Sequence, residues 1–79
     1  MPHYYFKSND GETMIQDDLG LELDSLEAAS LQVHSALAEM ANDAKPSIGT
    51  TRMMIVLVED ATGKVVLRGA LSILVEQMA

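Results

Sequence analysis

Seventy-nine residues, 48% of them hydrophobic and none of them cysteine, predict one domain with a globular core. They exclude disulfide staples, thiolate zinc sites and cysteine nucleophiles. A formal net charge of −7, from twelve acidic and five basic residues, repels phosphate backbones, and no Lys/Arg cluster overrides that sign, so nucleic acid is excluded as a partner. Met1-Pro2-His3-Tyr4-Tyr5-Phe6 lacks the basic flank and long apolar core of a signal peptide, and the longest apolar block, Met53 to Val58, is strand-sized. The expected setting is the cytoplasm, with no membrane partner.

His3 to Ser8 is the first predicted strand, with Tyr4 and Phe6 turned to the core because Lys7, on the other face, belongs in water. Asn9-Asp10-Gly11-Glu12 is a turn signal, since Asn, Asp and Gly tolerate positive φ. Thr13 to Gln16 returns as a short second strand, and Asp17-Asp18-Leu19-Gly20 turns again. Seven of the acids (Asp10, Glu12, Asp17, Asp18, Glu22, Asp24, Glu27) fall in this early part of the chain. They read as a solvated, turn-rich edge with helix-capping duties. Leu21 and Leu23 then alternate inward ahead of a helix.

Asp24 to Ala44 is predicted as one amphipathic helix, the element on which the other segments pack. From Leu26, the residues Ala29, Val33, Leu37, Met40 and Ala44 follow at steps of three or four and form one stripe. Asp24 is the predicted N-cap, with Glu27 three residues on as its capping-box partner, and Leu23 a candidate hydrophobic staple. Lys45 suits the negative end of the helix dipole, and Pro46 stops the helix.

Lys45 to Thr51 reads as a loop. Arg52 to Glu59 is the clearest strand, apolar on both faces from Met53 to Val58, as a central strand is. Asp60-Ala61-Thr62-Gly63 connects it to a last strand, Lys64 to Ala70. The register of that hairpin is open, because a bulge at Gly63 would exchange the faces. Leu71, Leu74, Val75 and Met78 take an i, i+3, i+4, i+7 spacing that reads as a short amphipathic helix, with a strand as the alternative. The predicted fold is α+β, in the order β-β-α-β-β, with one helix across an antiparallel sheet.

His-Tyr-Tyr-Phe at 3–6, Asp10-Gly11, the run Asp17 to Leu23, Leu26-Glu27-Ala28-Ala29 opening the helix, and Val58-Glu59-Asp60 with Gly63-Lys64-Val65 together resemble a family of small bacterial proteins. These are the DUF6894-like proteins, a domain family of unknown function common in rhizobia and related alphaproteobacteria. The resemblance covers nearly the whole chain and implies a compact α+β domain in a bacterial cytoplasm; it implies no reaction. The polar residue after the family's aromatic strand is often His, and here it is Lys7, so a metal or acid–base role for that His lacks its residue.

His3 and His34 are too far apart in sequence to form a ligand pair, and no metal or other cofactor is expected. The acids from Asp10 to Glu22 do not fit an EF-hand loop, which requires an upstream Asp where this chain has Phe6. The serines and threonines have no base beside them in sequence, and Thr62-Gly63-Lys64 is a hairpin turn rather than a phosphate loop. No enzyme activity is expected.

An apolar surplus remains, since one helix covers one sheet face and Leu31 and Ala38 lie off its core stripe. On one reading, Leu71 to Met78 folds back over the second face and the methionines fill gaps in the core. On the other, the surplus is a contact surface made from Met53, Ile55, Leu57, Val66, Leu71, Leu74, Val75 and Met78. Two function classes fit the second: a binding or assembly module using the exposed sheet face or edge, with a homodimer favoured, or an antitoxin-like regulatory partner of a larger bacterial protein.

Overall fold

The computed structural model describes residues 2–17, 19–45 and 47–79. Asp18 and Pro46 lie outside the described residues, and with them part of the predicted second turn and the predicted helix stop. The order is β1 (His3–Asn9), β2 (Met14–Gln16), β3 (Leu21–Glu22), α1 (Leu26–Asp43), β4 (Arg52–Glu59) and β5 (Val65–Ile73). The five strands form one antiparallel sheet in the spatial order β2-β1-β4-β5, with β3 also paired to β1. This is the expected α+β architecture with one further, two-residue strand before the helix.

Strand alternation divides the sheet cleanly. Phe6 pairs with Val58, Val56 with Gly69 and Met54 with Leu71, so these residues share one face. That face meets the helix. Met54, Val56 and Val58 are fully buried there, with Tyr4, Ala29 and Val33 beside them, and Phe6, Leu23, Leu37 and Met40 pack around the cluster. Tyr4 and Phe6 thus turn inward as their alternation predicts, and Val33, Leu37 and Met40 form the middle of the helical stripe. The stripe fades at its start, where Leu26 is half exposed.

The helix lies over β4 and β5. Gly69 permits its close approach: a Cβ there would stand 2.3 Å from Val33 Cγ1. Replacing β5's middle residue by glycine gives up strand stability, and what it gains is room for a helix.

Three expectations need correction. The N-cap is Ser25, whose Oγ accepts from the Ala28 N–H at 3.2 Å, rather than Asp24; Ala28 therefore occupies the position the capping box assigned to Glu27. The cause is the strand before it. His3 pairs with Glu22, and the Leu23 N–H donates to the Pro2 carbonyl at 3.0 Å, which keeps the chain extended up to the cap. Secondly, Leu71 to Met78 is not a helix. Leu71 to Ile73 continue β5 opposite Met54 to Arg52, and Val75 makes an isolated parallel bridge with Ile48. Thirdly, the tail is no lid: Leu74, Val75 and Met78 are exposed. The hairpin's register shift lies between Val58 and Glu59, opposite Val66, rather than at Gly63.

Candidate interaction surface

The sheet face opposite the helix is bare among the described residues. Register and alternation place Met14 and Gln16 (β2), Tyr5, Lys7 and Asn9 (β1), Met53, Ile55, Leu57 and Glu59 (β4), and Arg68, Ala70 and Ser72 (β5) on it. Its apolar part is a band across β2 and β4. Met14 and Met53 are well exposed, Ile55 and Leu57 half-buried by their neighbours. A groove of about 170 Å³ runs between Met14, Ile55, Leu57 and the stem of Lys7. One end of the face is polar, because Lys7 Nζ lies 2.9 Å from Glu59 Oε2 across the β1/β4 pair.

The eight residues expected to form one contact surface are therefore split. Met53, Ile55 and Leu57 share the open face. Val66 and Leu71 do not: Val66 packs against the core, and Leu71 pairs with buried Met54 on the helix side. The extra residue at the β4/β5 irregularity turns Val66 inward, and a period of two carries Leu71 with Met54. Leu74, Val75 and Met78 lie beyond β5 in the exposed tail.

The second exposed surface is the free side of β5. The helix flank beside it consists of Ser30, His34, Leu37 and Ala41, the first three lining a groove of about 230 Å³ with Arg68, Gly69 and Ala70. The opposite flank gathers three acids and two bases. Asp43 borders a larger groove of about 520 Å³ together with Asp10, Glu12, Ile15, Met40, Lys45 and Arg52, near which Arg52 Nη1 reaches Glu12 Oε1 at 3.6 Å.

The polar side chains singled out in the sequence are occupied in local structure. His3 Nε2 lies 2.7 Å from the Leu19 carbonyl, which can only accept, so this nitrogen carries the proton and ties β1 to the second turn. Asp10 Oδ1 accepts from the Glu12 and Thr13 N–H groups, and the Thr13 hydrogen bond above all holds its carboxyl below the ordinary range. Asp60 Oδ1 accepts from the Thr62 hydroxyl at 2.6 Å and from the Thr62 and Lys64 N–H groups, with the hydroxyl the main cause of its lowered pKa. Both carboxylates close turns. His34 is exposed on the β5 flank. Among the described residues, no three His, Asp or Glu side chains converge as a metal site would need, and no helix is long and apolar enough to cross a membrane.

The sequence offers an exposed sheet face or edge as the contact, but which edge stands free depends on pairing order. The signal for it was the strand-compatible run Val65 to Val75, which carries one charge, Arg68.

No curated protein and no solved structure matches this chain. The family model described as a domain of unknown function, DUF6894, matches residues 3–72, from the first residue of β1 to the penultimate residue of β5. That span takes in the helix and every strand but for the last residue of β5, and the chain belongs to the DUF6894 family.

Proposed function

We propose that this is a non-catalytic assembly domain of the bacterial cytoplasm, which associates with its own copies through the half of the chain after the helix. The observation that carries this reading is the apolar exposure in that half. Ile48, Met53, Val65, Leu74, Val75 and Met78 are each close to half exposed or more; Met14, Ile15, Leu19, Leu21, Leu26 and Leu31 are exposed to a similar degree, but on short strands, turns and the helix rather than along a long strand and its tail. Exposed apolar surface on this scale is uncommon on a small soluble monomer and usually marks a contact. A small domain also gains stability by oligomerising, most often as a closed two-fold pair.

A non-catalytic role is supported by the employment of the polar groups. The two carboxylates with lowered pKa values are explained by their own turns, and His3 is held by a backbone carbonyl. His3 and Asp60 share an open groove of about 300 Å³ with Tyr4 and Thr62, but each is already engaged there, His3 by the Leu19 carbonyl and Asp60 by its own turn.

Sedimentation velocity over a wide concentration range tests the reading. A species of twice the 8.6 kDa chain mass, with a concentration-dependent dissociation, is expected. A folded monomer at the highest concentration would overturn it. Co-purification of that monomer with a larger protein from a bacterial host would support the regulatory-partner alternative instead.

A further inference from the structure

We propose that the contact is made by the free edge of β5, with the helix flank beside it, against the same edge of a second copy. The two sheets would join antiparallel across a two-fold axis. This rests on the assembly reading above and names the surface and its occupant.

The two edges of the sheet are unlike. On one side, β1 is covered by β2 and β3, strands of three and two residues separated by a turn. Very short edge strands are a standard protection against unwanted pairing. On the other side stands β5, nine residues long, with nothing paired to its outer edge among the described residues. It holds no Pro and no Lys, and its single charge is Arg68. Its one irregularity lies at the start, opposite Val58/Glu59, and leaves Leu67 to Ile73 in unbroken register. An edge of this kind offers a row of open backbone N–H and C=O groups, and an antiparallel copy of itself satisfies them.

Charge selects the same side for a copy. Two chains of net charge −7 repel unless they meet where the acids are not. The helix flank beside β5 presents Ser30, His34, Leu37 and Ala41, whereas Asp43, Asp10 and Glu12 gather by β2. A two-fold pairing through β5 brings together two flanks whose grooves are lined by Arg68, Lys45 and Arg52 but by no acid, and keeps Asp10, Glu12 and Asp43 at the far ends.

The natural chain has no cysteine, so a single introduced thiol reports on one place. Four full-length variants are compared: Ala70→Cys and Ser72→Cys on β5, Met53→Cys on the open face and Met14→Cys on the opposite edge. Each is treated with a short bifunctional thiol crosslinker after circular dichroism has verified its fold. Crosslinking at Ala70 or Ser72 is expected, with little at Met53 or Met14. In parallel, Ala70→Glu should weaken the dimer at least about tenfold, because like charges then face each other across the axis. A dimer that crosslinks at Met53 or Met14 and not on β5 would overturn the edge pairing and leave the assembly reading standing. A monomer in sedimentation would overturn both.

Discussion

Gly69→Ala is the sharpest test of how the helix sits on the sheet. The added methyl carbon would stand 2.3 Å from Val33 Cγ1 and 3.2 Å from Leu37 Cδ1, while carbon atoms in contact prefer about 3.5–4.0 Å. Val33 cannot turn aside, because a β-branched side chain on a helix has essentially one favoured rotamer and this one is only 7% exposed. The helix must therefore lift, opening contacts with Val56 and Val58. Overpacking of this kind costs about 1–3 kcal/mol, and alanine's advantage over glycine within a strand returns about 0.5–1 kcal/mol. A net loss of about 1–2 kcal/mol follows, a large fraction of the stability of so small a domain. Urea titration followed by far-ultraviolet circular dichroism should show a midpoint about 1 M lower. Protein concentration must be held fixed, since association feeds into apparent stability. Val33→Ala in the same chain should recover part of the loss, with a coupling of about 1 kcal/mol or more. A Gly69→Ala midpoint at or above the wild-type value would refute the helix placement.

Ser25→Ala should lower stability by about 0.5–2 kcal/mol through loss of the Ala28 hydrogen bond, whereas Asp24→Ala should stay within about 0.5 kcal/mol, both read from thermal or urea unfolding. For pH, the folded pKa of Asp60 is depressed, so its contribution is fully present above the unfolded Asp value of about 3.9 and is lost as pH falls through the lower folded value. Asp60→Asn should accordingly show a shallower acid loss of melting temperature than wild type, and identical slopes would count against the turn's role. Zinc or calcium in moderate excess should leave the melting temperature unchanged, because a ligand specific to the folded state raises it; a rise of several degrees would revive an acidic-loop site between Asp10 and Glu22.

How far the sequence reached is clearest in β4. Its bounds, Arg52 to Glu59, and its division into Met54, Val56 and Val58 against Met53, Ile55 and Leu57 were readable because alternation is a local property. The turns at Asn9–Thr13 and Asp60–Lys64 were readable for the same reason, their Asp, Asn and Gly residues making the bonds those side chains favour. The tail was not. Leu71, Leu74, Val75 and Met78 satisfy a helical period, yet Leu71 and Ile73 satisfy a strand period equally well. The decision came from β4, which offers Met54 and Arg52 as ladder partners almost twenty residues away. The cap at Ser25 likewise depended on β3, too short to announce itself, pairing with His3 at the chain's other end of the sheet edge. The candidate surface was half readable: its apolar residues could be found, but which of them shared a face depended on the irregularity opposite Val66 and on strand order.

Strand order also has a consequence for how the chain acquires its structure. β1 lies between β2 and β4, and its pairing of Phe6 with Val58 joins residues on either side of the helix and far apart in the sequence. Until β4 arrives, the aromatic strand has only five partner residues on its other side, and the helix has no Met54, Val56 or Val58 to bury Ala29 and Val33 against. A lone small hairpin is marginal in water, and an amphipathic helix draws most of its stability from the packing of its apolar face. The first half of the domain therefore contains no stable subunit, and closing the long connection from β1 to β4 is the entropic step on which its structure depends. Folding should proceed as a single transition whose rate responds most to substitutions along the β1–β4 seam, with the β4–β5 hairpin as the local element able to form ahead of it.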